Sequence, residues 1–288
     1  MIKFFIFFIL MLFQAKLKLR NWIDITKLDW VFLSSNPNAI ELLKENPHKI
    51  NWDYLSLNTN AIELLKENQD KINWDYLSFN INAIELLKEN QNKINWHNLS
   101  SNKNAIEILR ENQDKINWDY LSSNVNAIDL LKENPNKINW LILATNFNAI
   151  DLIKENLNRI NWLFLSLNKN AIDLLKENLQ KINWHTLSSN PNAIELLKNN
   201  KDKINWDKLS INENAIELLI NNQQKINWIL LSKNISIFNY DYNYTAIKNK
   251  NKDLNEEIIQ KALHPKRMLR LMAEYGEDEI YNCYFNDE

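Results

Sequence analysis

Apolar residues recur along this chain in a pattern that restarts every 22 residues. Residues 52–73 read WDYLSLNTNAIELLKENQDKIN, and Trp74 begins the text again. Tryptophan stands at 30, 52, 74, 96, 118, 140, 162, 184, 206 and 228, with no insertion or deletion between copies. In the second copy, residues 60–68 place apolar side chains at i, i+1, i+3 and i+4. That is one face of a 3.6-residue period and predicts a helix. Asn60 with Glu63 three residues on reads as a capping box, and Asn68 reads as a left-handed terminator. Pro37 and Pro191 suit a first helical turn, whereas Pro47 and Pro135, directly after the terminating asparagine, cannot continue a helix. A second, shorter helix is predicted from Trp74. With Asn73 as its N-cap, Ile72 and Leu77 take the spacing of a hydrophobic staple.

Helices this short are unstable alone in water. The units must therefore stack, and the stack is expected to bury Trp, Leu, Ala, Ile, Leu, Leu and Ile from each. A leucine-rich repeat has a similar period but needs leucine at the position of Leu57. Other copies carry Ser35, Phe79, Thr145 and Lys233 there. The expected fold is all-α: a solenoid of about ten two-helix units, closed by caps at both ends.

The flanks divide the chain further. Residues 1–18 form an apolar N-terminal segment whose run from Phe4 to Phe13 is too short to span a bilayer. A signal peptide, a membrane anchor and an appended or mis-assigned start all remain open for it. Residues 19–234 hold the solenoid, opening with a degenerate half-repeat at 19–29 whose Trp22 lies outside the register. From Ile235 the register is expected to lapse, and residues 235–288 read as a C-terminal helical cap with Ile237, Phe238 and Tyr240 over the last unit.

Composition narrows the chemistry. The single glycine, Gly276, argues against β-rich architectures and against a phosphate-cradling loop. The formal net charge of −2 with interspersed signs lacks a nucleic-acid footprint. The single cysteine, Cys283, excludes an internal disulfide and a cysteine zinc cage. His97 and His185 share a unit position but lie four units apart, too far to share a metal. The regular asparagines read as caps and turns rather than a ligand-binding ladder. The tryptophans read as core rather than a stacking platform, with no regular basic neighbour assigned to them. Glu63 and Lys66 form a solvated i,i+3 pair. The cluster Lys261, Lys266, Arg267 and Arg270 reads as a solvated face of the C-terminal cap, or as a dock for an acidic partner. No catalytic, cofactor-binding or metal-ligating residues are singled out, and an enzyme is not expected.

The positions that vary between copies carry more information. They are the two after Trp, the one after Ser and the pair after the helix-ending Asn. In units 6 and 7 they turn apolar: Leu141, Ile142, Phe147, Leu157, Leu163, Phe164, Leu167 and Leu179. These eight are the candidate partner surface, with tighter packing between the two units as the alternative.

The unit NxNAIELLKENxxKINWxxLS, the lead-in LRNWIDITKLDW, the exit SIFNYDY and the closing KALHPKRMLRLM resemble the short Trp- and Asn-rich repeat proteins of giant, mimivirus-like DNA viruses. The resemblance covers residues 19–288 and carries no catalytic or binding residues. It implies a viral repeat protein. The expectation is a monomeric protein-binding scaffold without cofactors, aimed at host proteins in the host cytoplasm. A specific form is an adaptor whose C-terminal segment recruits a second factor. The alternative is a structural virion or membrane-associated component tethered by residues 1–15.

Overall fold

A computed structural model describes residues 17–240. They form a helical solenoid of 22-residue units, of which the second is typical. Trp52–Leu57 is a short helix, here named the Trp helix. A turn leads into Ile62–Lys66, the Leu helix, and the 3₁₀ turn Gln69–Lys71 returns the chain to the next tryptophan.

The Trp helix starts as its sequence predicts. Asn73 Oδ1 accepts from Tyr76 N at 3.1 Å, and the staple residues Ile72 and Leu77 are buried. The Leu helix differs at both ends. The Asn60–Glu63 capping box does not form, because Asn60 is committed elsewhere. Its N–H donates to Asn58 Oδ1 at 3.0 Å and its carboxamide donates to Pro37 O of the preceding unit at 3.0 Å. Ala61 stands at the N-cap with no side-chain hydrogen bond. At the other end Asn68 has φ −133°, outside the left-handed region. It ends the helix with its side chain, Nδ2 donating to Leu64 O at 3.0 Å, which satisfies a free terminal carbonyl. Pro37 and Pro47 each open a 3₁₀ turn, Pro37–Ala39 and Pro47–Lys49, where a missing N–H is not needed.

Each unit buries the same small set. In the second it is Leu55, Ser56, Asn58, Ala61 and Leu65, with Ile72 beside them. A buried leucine contributes about 1.5–3 kcal/mol, but buried Ser and Asn stabilise only if fully hydrogen-bonded. They are. Ser56 Oγ donates to Trp52 O at 2.9 Å and accepts at 3.0 Å from Asn73 N, the cap of the next Trp helix. Asn80 Nδ2 reaches back to Ser56 O at 3.0 Å and Asn58 O at 2.9 Å, while its Oδ1 accepts from Asn82 N at 3.0 Å. The same bonds recur at Asn102, Asn124, Asn146, Asn168, Asn190, Asn212 and Asn234. The asparagines are structural, but they join units as well as capping helices.

Tryptophan is not core. The rings at all ten positions are half-buried. The exposed face is covered by the lysine three residues before the next unit's tryptophan. Lys71 Nζ lies 4.4 Å from the Trp52 centroid and Lys93 Nζ 4.3 Å from that of Trp74. The regular cation that the sequence reading denied to these rings is present in the recurring Lys-Ile-Asn-Trp.

The array closes on itself. Asn36, in the first unit, donates from Nδ2 to Ser232 O at 3.0 Å and Asn234 O at 3.1 Å in the last. Asp29 N donates to Ser232 Oγ at 2.8 Å, and Asn38 Nδ2 to Ile235 O at 2.9 Å. Lys27 lies 5.0 Å over the Trp228 ring. Each repeats a contact made along the rest of the array, displaced by ten repeats. The ten units therefore complete a ring within residues 19–239. The repeat geometry does not lapse at Ile235. The turn Ile235–Ile237 follows Asn234 as Pro37–Ala39 follows Asn36, with Ile237 buried in the alanine's place. The two flanks expected as separate caps meet across this one junction. Trp22 packs against Trp228 at 6.4 Å between centroids, Arg20 N donates to Ile237 O at 2.9 Å, and β1 (Leu17–Leu19) and β2 (Phe238–Tyr240) form a two-stranded sheet. Residues 1–16 and 241–288 lie outside the described residues. With them lie the apolar N-terminal run, most of the expected C-terminal cap and its basic cluster.

Several neighbouring Trp helices run close together, as Trp52–Leu57 does with Trp74–Leu77 and Trp118–Ser123 with Trp140–Leu143, and no two neighbouring Leu helices come as close. In a closed ring the more closely spaced layer is the inner one, so the Trp helices line the bore and the Leu helices form the rim.

Candidate partner surface

The bore is built from a few positions of a short helix. The third and fourth residues after tryptophan, such as Leu55 and Ser56, are buried. The first, second and fifth share the opposite helical face and form the inner wall. Ring contacts run along that wall. Phe32 meets Tyr54 edge-on at 5.5 Å, and Tyr54 meets Tyr76 at 5.9 Å. Phe79 reaches Tyr120, two units away, at 6.5 Å, a contact that only the concave side permits. Lys233 Nζ lies 4.1 Å over Phe32 across the closing junction.

Aspartates occupy the first position in several units, and the asparagine that caps the next Trp helix holds each one. Asn73 Nδ2 donates to Asp53 Oδ1 at 2.9 Å, Asn95 to Asp75 at 2.8 Å, Asn139 to Asp119 at 2.7 Å and Asn227 to Asp207 at 3.0 Å. Asp53, Asp75 and Asp119 each precede a wall tyrosine, so one arc of the bore is both acidic and aromatic.

The eight residues expected as a partner surface fall in more than one place. Leu141, Ile142, Leu163, Phe164 and Leu167 stand together on the inner wall of units 6 and 7, with Leu141 51% exposed, Leu163 40% and Leu167 38%. Phe147 lies on the turn leaving its Trp helix, and Lys169 Nζ sits 4.1 Å over its ring. Leu157 and Leu179, both exposed, belong to the segment that follows the Leu helix. A period of 22 aligns equivalent positions from unit to unit, but it does not say which of them share a wall.

Units 6 and 7 also carry the least regular junction. Ala144 replaces the bridging serine, so Asn161 N has no hydroxyl to donate to. Asn161 then caps Leu163 N at 2.8 Å, one residue earlier than Asn73 and its equivalents do. Trp140 Nε1 is buried without a hydrogen-bond partner, and Arg159 in place of lysine stacks 4.1 Å from that ring.

The rim is a solvated charged face. Lys66 pairs with Glu63 at 3.0 Å and Lys88 with Glu85 at 3.0 Å. Arg110 reaches Glu133 of the next unit at 3.1 Å, and Lys198 lies between Glu217 at 3.2 Å and Glu195 at 3.3 Å. The hydrogen bond that Arg110 donates to Glu133 raises the pKa of its guanidinium, and those that Lys198 donates to Glu217 and Glu195 raise that of its ammonium. Among the described residues no group of three His, Cys, Asp or Glu side chains could hold a metal ion, and no helix is long and apolar enough to cross a membrane.

In comparisons with known proteins, the chain matches no family model, no curated protein and no solved structure.

Proposed function

We propose that this protein is a non-enzymatic interaction scaffold that holds a partner protein. One observation carries the reading. Most of the strongly exposed large apolar side chains occupy the inner wall: Val31, Tyr120, Leu141, Leu163, Leu167 and Ile229. Isolated exposed apolar residues need no explanation, whereas a set that converges on one concave surface marks an interaction site. Among the described residues, the Leu-helix side carries fewer of them: Leu157, Leu179 and Ile220. The resemblance to giant-virus repeat proteins makes a host protein in the host cytoplasm the partner class. In the adaptor form, the ring holds the target while the C-terminal segment recruits a second factor.

The test is affinity purification of tagged full-length protein from infected cells, beside a Leu141→Glu/Leu163→Glu variant. A host protein that copurifies with the parent and is lost from the variant supports the reading. Recovery of virion or membrane components alone, with both proteins, overturns it in favour of a structural component tethered by residues 1–15.

A further inference from the structure

We propose that the bore of the ring is the binding site, and that its ligand is a single amphipathic α-helical segment of a partner protein bearing one apolar face and one basic face. This rests on the interaction reading and names its site and ligand class.

Size comes first. Helices pack at roughly 8–10 Å between axes. Ten Trp helices so spaced lie on a circle roughly 25–32 Å across. Subtracting one helix width of about 10–12 Å leaves a bore of roughly 15–20 Å. That admits one α-helix with its side chains and excludes two.

Chemistry then selects the occupant. On one arc Asp53, Asp75 and Asp119 are fixed by the carboxamides of Asn73, Asn95 and Asn139, and each stands beside a tyrosine. Preorganised carboxylates beside tyrosine rings suit lysine or arginine, which gain both a charge pair and a ring face. The same carboxylates repel a phosphate backbone, so nucleic acid is disfavoured. Farther round, the wall of units 6 and 7 presents Leu141, Ile142, Leu163, Phe164 and Leu167 with no acid among them. A helix with leucine-like residues on one face and basic residues on the other matches both arcs at once, as amphipathic helices match apolar grooves elsewhere.

The test uses full-length protein and synthetic helical peptides of about 18 residues, roughly 27 Å long. One carries leucine and lysine on opposite faces. The second replaces every lysine by glutamate, and the third scrambles the first so that no apolar face forms. Calorimetric titration should show the Leu–Lys peptide binding at one per ring and the other two at least about tenfold more weakly. Asp53→Asn/Asp75→Asn/Asp119→Asn keeps the oxygen that each cap asparagine bonds. It should weaken the Leu–Lys peptide about tenfold, since three screened pairs of a few tenths of a kcal/mol multiply to that factor. Leu163→Glu should weaken it as much, and thermal melts of both variants should match the parent because the altered side chains are exposed. Equal binding of the Glu peptide or the scrambled peptide, or Leu–Lys binding that ignores both variants, overturns the assignment. A copurifying host protein that the triple aspartate variant still retains would leave the scaffold reading standing while removing the bore as its site.

Discussion

The carboxamide of Asn124 donates to Ser100 O at 3.0 Å and Asn102 O at 2.9 Å and accepts from Asn126 N at 3.0 Å, all in a buried setting. Asn124→Ala orphans the buried Ser100 carbonyl and the Asn126 N–H, and leaves Asn102 O with only its bond from Ala105 N. It should cost about 2–4 kcal/mol in urea denaturation. Asn124→Asp should cost more, because a carboxylate cannot donate to either carbonyl. A loss below about 1 kcal/mol for the alanine variant would mean that water satisfies those groups. Tryptophan is the contrasting case. A core ring would cost about 3–5 kcal/mol on truncation to alanine. Trp118 is half-buried, so Trp118→Ala should cost about 2 kcal/mol by the same measurement. A value within the core range would restore the buried assignment. At this scale the sequence was legible where one residue acts on its own helix, as Asn73 does on Tyr76 N. It misled where the partner lay far off along the chain. Asn60 resembled a capping-box residue, yet it spends its carboxamide on Pro37 O across the unit boundary. The cation of Lys-Ile-Asn-Trp, Arg159 in one copy, is visible in every full copy, but the ring it covers stands at the far end of that copy and not beside it.

At the scale of the element, no helix here could stand alone, and stability comes from the junctions. The junction between units 6 and 7 tests this directly. Ala144 lacks the hydroxyl that Ser122 offers to Asn139 N at 2.9 Å and that Ser166 offers to Asn183 N at 3.1 Å. Ala144→Ser should restore that bond and stabilise the protein by about 0.5–1.5 kcal/mol, read as a higher denaturation midpoint at unchanged slope. A destabilised variant would show that the backbone at Asn161 has settled into an arrangement with no room for the hydroxyl.

At the scale of the molecule, closure removes the free ends that make linear repeat arrays fray. The Asp29 amide, bonded to Ser232 Oγ, should therefore exchange its hydrogen as slowly as the Asn139 amide in mid-array. Native-state hydrogen exchange reads this. An Asp29 amide faster by orders of magnitude would indicate an open solenoid. Deleting residues 118–139 sharpens the test. Nine units with unchanged junctions cannot complete the turn, so Asp29 should lose its protection in the shortened chain even while other junctions keep theirs.

The period of 22, the ten tryptophans, the Trp-helix starts and the all-α class were fixed by the sequence alone, because each depends on residues within one unit. Closure was not. It depends on the small rotation between neighbours, set by how the close inner packing of Trp helices compares with the wider outer spacing of Leu helices. No local pattern encodes that difference, and ten repetitions accumulate it into either an open superhelix or a ring. The same rotation decided that the residues one, two and five after each tryptophan face a bore instead of an extended surface. It also separated Leu141, Ile142, Leu163, Phe164 and Leu167, on the inner wall, from Phe147, Leu157 and Leu179 on the connecting segments.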